Sequence, residues 1–315
     1  MKTYGIPYKG SKSAIVAKFF PLLPQATHFY DLFAGGCAVT HYALTSHKYK
    51  AIHANDLCSG VLNLFLDAVN GKYTNETRWI SCEDFNALKD TDPYIAYCWS
   101  FGNNGCNYLY SKEIEPYKKA LHYARVFGDN TLLRQMGINS DGSRRDIIAH
   151  LNEYKEIYIS LNPDANIDNL DWLYRLQHIE GLNRLNKTHT LNIPPLSITS
   201  LDYRNVQILP DSVIYCDIPY IGINETTEAA EYRTDNGMAN DFSHADFYDW
   251  AECQSAPLFI SSYQMPEDRF ECIWQTKKIL GFSPSGNTTV IEKLYIPKTQ
   301  SKALQRLIPR QLSLF

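Results

Sequence analysis

Val213-Ile214-Tyr215-Cys216-Asp217-Ile218-Pro219-Tyr220 decides the fold. Apolar and β-branched residues run through it without polar alternation, the pattern of a parallel strand covered on both faces. Such a strand belongs in an α/β sheet flanked by helices, where ligands gather beyond the carboxyl ends of the strands. The run closes on a carboxylate, a proline and an aromatic ring. An acid and an aromatic at that edge can grip a flat, nitrogen-bearing substrate. An Asp217 that caps the next turn, beside a Tyr220 that only packs, is the alternative reading of the same residues.

Upstream, His28-Phe29-Tyr30-Asp31-Leu32-Phe33-Ala34-Gly35-Gly36-Cys37-Ala38-Val39 reads as a strand, a glycine turn and a helix. Glycines there let a ligand approach the backbone, and the helix that follows offers free N–H groups. The spacing departs from GxGxxG, so a nicotinamide cofactor is not supported. A second strand, Ala51-Ile52-His53-Ala54, ends at Asn55-Asp56. An acid about twenty residues past such glycines is positioned for ribose hydroxyls. The combination points to an adenosine-containing cofactor, and Asp56 can also act as N-cap for Leu57 to Val69.

The N-terminal stretch Tyr4-Gly5-Ile6-Pro7-Tyr8-Lys9-Gly10-Ser11-Lys12-Ser13 leads into a helix over Ala14 to Phe20. A lysine at a helix entrance opposes the dipole, so Lys12 calls for an anionic neighbour, a ligand carboxylate among the options; an ordinary surface lysine is the other reading. From about residue 80 to 195 helical patterning replaces the strand-turn-helix rhythm and marks an inserted domain. Within it, Asn103, Asn104 and Asn107 lie in the glycine-punctuated segment Trp99 to Tyr110, and Arg144 and Arg145 close the segment Asn139 to Arg145. Asparagines read base edges and arginines hold phosphates or guanine. Ordinary loop composition accounts for both segments as well. Leu170, Leu173, Leu176, Leu182 and Leu185 recur at the spacing of a packed helical face.

Strand patterning resumes at Leu191 and returns in Pro257 to Tyr263. Ser243 opens a helix through Asp246 to Gln254 with capping-box spacing. Phe270 to Lys278 and Thr288 to Ile296 alternate like a hairpin.

The chain has 315 residues, 44% of them hydrophobic, enough to bury a real core in one large or two smaller domains. No apolar run reaches membrane-spanning length and no signal peptide is evident, so a cytoplasmic protein is expected. Eight cysteines form no CxxC pair, and neither a metal site nor a disulfide framework is indicated. The net charge of -4 argues against coating nucleic acid by bulk electrostatics, although Pro297 to Phe315 carries Lys298, Lys302, Arg306 and Arg310 and no acid.

In this order the motifs resemble the Dam-type DNA adenine-N6 methyltransferases. The match spans most of residues 4 to 297 and is weakest in the insert. Tyr8-Lys9-Gly10-Ser11-Lys12 resembles the family's N-terminal motif, Asp31 to Gly36 its glycine loop, Asp56 its ribose-binding acid, and Asp217-Ile218-Pro219-Tyr220 its Asp-Pro-Pro-Tyr. The resemblance implies a Rossmann-like methyltransferase sheet (1–80 and 190–297) with an inserted, mainly helical target-recognition domain (81–189) and a basic tail (298–315). It implies S-adenosyl-L-methionine held by Tyr8, Lys12, Asp31, Phe33, Gly35, Asp56, Asp202, Tyr203 and Asp217. Catalysis falls to Asp217, Ile218, Pro219 and Tyr220 on double-stranded DNA, with no metal and a monomer expected. The departure is Ile218, where the family has proline: isoleucine still supplies a main-chain carbonyl but loses the fixed φ. Cytosine-N4 methylation and a catalytically impaired DNA-binding module are the alternatives.

The terminus Arg310-Gln311-Leu312-Ser313-Leu314-Phe315 resembles the QLxLF peptide that docks bacterial replication and repair proteins on the sliding clamp. That resemblance gives Gln311 the hydrogen bond and Leu312, Leu314 and Phe315 the apolar groove. A terminus folded back on the core is the alternative. With a clamp partner the protein would work at the nucleoid.

Overall fold

The computed structural model describes residues 3–138, 175–220, 232–234, 237–239, 242–283, 286–304 and 306. Arg144, Arg145, Leu170, Leu173, Gln311, Leu312, Leu314 and Phe315 lie outside the described residues. The chain divides into two compact units, one of Met1–Ile6, Gly10–Gly71 and Lys187–Phe315, the other of Pro7–Lys9 and Lys72–Asn186.

The first unit holds a seven-stranded sheet. Its strands are β1 (His28–Asp31), β2 (Ala51–Asn55), β3 (Leu196–Thr199), β4 (Ser212–Asp217), β7 (Leu258–Ser262), β8 (Phe270–Ser283) and β9 (Gly286–Pro297), while β5 (Tyr232–Thr234) and β6 (Gly237–Ala239) pair separately. The spatial order is β3-β2-β1-β4-β7-β9-β8. The left half and β7 run parallel, and β9 enters antiparallel between β7 and β8. Strand order reverses between β1 and β4, which makes the carboxyl ends of those two strands the crevice where a ligand is expected.

The β4 run is buried because both of its faces are covered, as the absence of alternation predicts: Val213, Ile214, Tyr215 and Cys216 are all 0% exposed. Ile214, Cys216 and Ile218 point to one face, where they pack with Tyr30, Leu32, Phe247, Leu258 and Ile260. Tyr215 points to the other, stacked on Phe19 at 5.4 Å between ring centroids. Period two therefore puts Asp217 on the Tyr215 face. Ile218 is fully buried, an anchor of about 1.5–3 kcal/mol for the residue that follows the strand.

Helices α1 (Val16–Phe19), α2 (Ala38–Ser46) and α3 (Ser59–Val69) belong to this unit. The expected Asp56 N-cap is not what starts α3: Cys58 holds the cap position without a side-chain bond, and the Asp56 carboxylate is turned to backbone N–H groups. The hairpin strands β8 and β9 run longer than their alternation suggested.

In the second unit, α4 (Cys82–Leu88) begins with a Ser81/Asp84 capping box, and the Asp92 side chain caps α5 (Pro93–Cys98). They are followed by α6 (Glu115–Phe127), α7 (Thr131–Gln135) and α8 (Gln177–Thr188), the last of which leaves the unit after Asn186. Leu176, Leu182 and Leu185 are buried, as a packed helical face requires. The last helix of the chain's described part, α10 (Lys298–Leu304), follows α9 (His244–Glu252), whose N-cap Ser243 accepts from the Asp246 backbone as its spacing predicts.

Candidate active site

At the end of β1 the glycine turn is pulled tight by acids. Asp56 Oδ2 accepts from the Gly35 N–H at 2.8 Å, and its Oδ1 accepts from the Cys58 N–H at 2.9 Å. Gly35 adopts a positive φ of 45°, the left-handed conformation that glycine takes without a Cβ penalty. Asp31, 1% exposed, accepts from Thr40 N and Thr40 Oγ1 through Oδ2, while its Oδ1 is buried with no hydrogen-bond partner among the described residues. Burial pushes the Asp31 carboxyl up to about 7; the Thr40 bonds oppose this and the charges of Asp217 and Asp56 add to it.

At the end of β4, Asp217 Oδ2 receives a 2.6 Å bond from Lys12 Nζ, and Oδ1 accepts from the Tyr220 hydroxyl at 2.9 Å. The anionic neighbour that Lys12 called for is thus a protein carboxylate. It has a second one: Glu292 Oε1 lies 3.7 Å from Lys12 Nζ and accepts from the Tyr220 hydroxyl. Lys12 is 4% exposed and Glu292 0%, while the Asp217 side chain keeps 22%. Burial raises the Asp217 pKa and the Glu292 charge adds to that, with the Lys12 charge working against it. Lys12 Nζ also stands 4.9 Å from the centre of the Tyr220 ring, which meets the Tyr263 ring edge-on at 4.4 Å. His244 Nε2 donates to the Pro219 carbonyl at 2.8 Å, since a carbonyl can only accept. The turn after β4 is therefore held by the buried Ile218 side chain, the His244 bond and the Tyr220 hydroxyl together.

A flat wall stands beside β1. Phe33 lies 5.3 Å from Tyr203, and Tyr203 meets Phe247 at 5.5 Å and Trp250 at 5.0 Å. Asp202 caps the short 3-10 turn Tyr203–Asn205 and binds Arg204 through both oxygens, which holds its carboxyl below the usual range.

Residues 8–125 match the family model of the D12 class N6 adenine-specific DNA methyltransferases. No curated protein matches the chain. The match supports adenine-N6 DNA methylation, and the mixed seven-stranded sheet fits a methyltransferase fold. The matched segment contains Lys12, the glycine turn, Asp56 and the asparagine loop, and it ends before Asp217.

The first unit brings Lys12, Asp31, Gly35, Asp56 and Asp217 to the carboxyl ends of β1, β2 and β4. Tyr8 is part of the second unit, its ring 5.7 Å from that of Tyr97. In the same unit Asn103 Nδ2 donates to the Tyr97 carbonyl of α5 at 2.7 Å and Asn104 Oδ1 accepts from Cys106 N at 2.9 Å, so one end of each amide is engaged with backbone. Asn107 and Phe101 are exposed there, Phe101 at 69%.

Glu292, Tyr263 and His244 escaped the sequence reading. Glu292 had a signal: it falls on the inward register of β9 with Val290 and Leu294, at 4% and 0% exposure, whereas Ile291 is 46% exposed. An acid on the apolar side of an alternating strand is costly unless it is paired, and so announces a partner. Tyr263 and His244 had none that their neighbours in sequence would reveal.

Proposed function

We propose that the chain is an S-adenosyl-L-methionine-dependent methyltransferase that methylates adenine N6 in duplex DNA. The observation that carries this reading is the Lys12–Asp217 pair at the end of β4, next to the switch point of a sheet whose neighbouring strand ends in the Asp31–Asp56 glycine turn.

The residues at that turn fit the cofactor. Asp31 Oδ1, buried and unsatisfied among the described residues, suits an ammonium donor, Asp56 stands at the glycine turn where ribose hydroxyls would lie, and Phe33 with Tyr203 offers an aromatic wall. When bound, S-adenosyl-L-methionine supplies a methyl group on a sulfonium sulfur, which keeps the bonding pair and becomes a thioether. The amino group of adenine is a poor nucleophile because its lone pair is delocalised into the ring. Asp217 Oδ1 and the Ile218 carbonyl accept its two N–H bonds and turn the lone pair out of the ring plane. Lys12 holds Asp217 in place, and Tyr220 stacks on the base, which leaves the duplex at a cost of a few kcal/mol. The nitrogen loses one proton as it gains the methyl group, and the Asp217 carboxylate, already bonded to it, is the adjacent base. Ile218 supports the turn by burial where a proline ring would support it by a fixed φ.

The second unit is proposed as the target-recognition domain, with Asn107, Arg144 and Arg145 toward DNA and Asn103 and Asn104 shaping the loop. The Gln311 to Phe315 peptide is proposed to tether the protein to the sliding clamp, which raises local concentration to about millimolar. Deleting those residues should abolish clamp binding in a surface-binding assay and spare methylation of short duplexes; unchanged clamp affinity refutes the tether.

The test of the main reading is transfer of labelled methyl to mixed genomic DNA, followed by nucleoside analysis. N6-methyladenine from the parent protein and at least about 100-fold less from Asp217→Ala is expected. N4-methylcytosine makes the chain a cytosine enzyme. Equal, negligible transfer by both proteins makes it a DNA-binding module without catalysis.

A further inference from the structure

We propose that Glu292 is a positioning residue: it takes the hydrogen bond of the Tyr220 hydroxyl and so keeps Asp217 Oδ1 open for the amino group of the substrate base. The inference rests on the methyltransferase reading and deepens it.

A single proton decides the arrangement. The Tyr220 hydroxyl carries one, and two carboxylate oxygens face it, Asp217 Oδ1 at 2.9 Å and Glu292 Oε1 at closer range. One O–H is directed at one acceptor at a time. Directed at Asp217, it leaves both oxygens of that carboxylate engaged, Oδ1 by Tyr220 and Oδ2 by Lys12 at 2.6 Å. Directed at Glu292, it frees Oδ1 for an incoming N–H while Lys12 still orients the carboxylate. Glu292 is fully buried and cannot turn this oxygen to water, whereas the Asp217 side chain keeps 22% exposure, and that difference favours the second arrangement.

Packing alone does not explain this acid. The side chain is 0% exposed on a register otherwise filled by Val290 and Leu294, where an apolar residue would be stable without any partner. Lys12 Nζ at 3.7 Å offsets part of the cost of burying the carboxylate. Lys12 and Tyr220, which Glu292 contacts, are themselves contacts of Asp217. Strand β9 therefore brings a third element to the site, from more than two hundred residues beyond Lys12.

The test measures methyl transfer at saturating DNA and cofactor for the parent protein, Glu292→Gln, Glu292→Ala, Tyr220→Phe and the double variant Glu292→Ala/Tyr220→Phe, with thermal unfolding of each. Glu292→Ala is expected to lower kcat about 10- to 100-fold and leave both KM values within about threefold. Glu292→Gln, which keeps an oxygen for the hydroxyl, recovers most of that loss. In the Tyr220→Phe background, where the ring stays and the hydroxyl is gone, Glu292→Ala costs less than about twofold more. Independent, multiplicative losses in the double variant overturn the inference, as do equal losses in the Gln and Ala variants that track a fall in unfolding temperature. A folded parent protein that transfers no methyl overturns the methyltransferase reading and with it the role of Glu292. The same double-variant cycle on unfolding then reports whether the Glu292–Tyr220 contact exists apart from that role.

Discussion

Each unit buries a polar cluster, and the two are built on opposite principles. In the first unit Lys12, Asp217, Glu292 and Tyr220 form a charged group, with one ammonium facing two carboxylates. In the second, Tyr110, His178, His122 and the Thr77 carbonyl form a chain in which the tautomers follow from one end. The carbonyl only accepts, so His122 Nε2 donates to it at 3.0 Å; His122 Nδ1 then accepts from His178 Nε2 at 2.9 Å, and His178 Nδ1 accepts from the Tyr110 hydroxyl at 2.7 Å. With both imidazoles neutral, the form that burial favours, every proton in the chain has an acceptor. The neutral chain specifies a core, while the charged group leaves the Asp217 side chain 22% exposed, where the proposed chemistry on a substrate would need it.

The largest effect that could break this contrast is expected at Lys12. Lys12→Met removes the ammonium that faces Asp217 and Glu292, and methyl transfer should fall by at least about 100-fold, read as incorporation of labelled methyl. An active Lys12→Met protein would mean that the charge serves folding alone.

The neutral chain answers to acid instead. Burial holds the pKa values of His122 and His178 below the ordinary histidine value, and the nearby His122 and Lys118 charges lower His178 further. The unfolded chain therefore binds protons below about pH 6.5 that the folded chain refuses, and stability rises with pH through that window. As pH falls below about 6.5, the second unit should lose up to about 1.4 kcal/mol per pH unit for each imidazole until its folded value is reached. Burial also depresses Lys118 to about 7, which extends the same sign upward toward about 10, the value of a free lysine. Trp99 stacks on His178 at 4.1 Å and Trp79 meets it at 5.3 Å, so tryptophan fluorescence in urea titrations from pH 7.5 to about 5 reads this. A midpoint that does not move with pH would show the chain to be wrongly assigned.

The smallest effect is expected at the departure from the family pattern. Ile218→Pro exchanges a buried anchor for a fixed φ, and should cost about 1–3 kcal/mol of stability while shifting kcat by less than about threefold. A tenfold gain in kcat would show that burial holds the turn more loosely than a ring does.

Much of this was legible in the order of residues. The unbroken apolar run from Val213 to Cys216 reads as a strand covered on both faces, and β4 does end at Asp217. Gly35 and Asp56 declared a turn and its acid, and the demand of Lys12 for an anion was met. What stayed hidden involved competition for the same side chain. Asn103 and Asn104 have the chemistry to read a base, and the turn around Gly102 and Gly105, with its positive φ values, also engages one end of each amide with backbone. For Asp56 the cap was one of two readings, and its carboxylate instead accepts from the Gly35 and Cys58 backbones.

The sequence by itself determined the local elements, their order and the chemical types at their ends, because burial pattern and turn chemistry are properties of neighbouring residues. Only the tertiary structure decided that Glu292 joins Lys12 and Tyr220 at Asp217. That choice depends on β9 entering antiparallel beside β7, with Ser262 paired to Lys293. A pairing between strands so distant in the chain is set by the packing of the whole sheet, and no short stretch of residues encodes it.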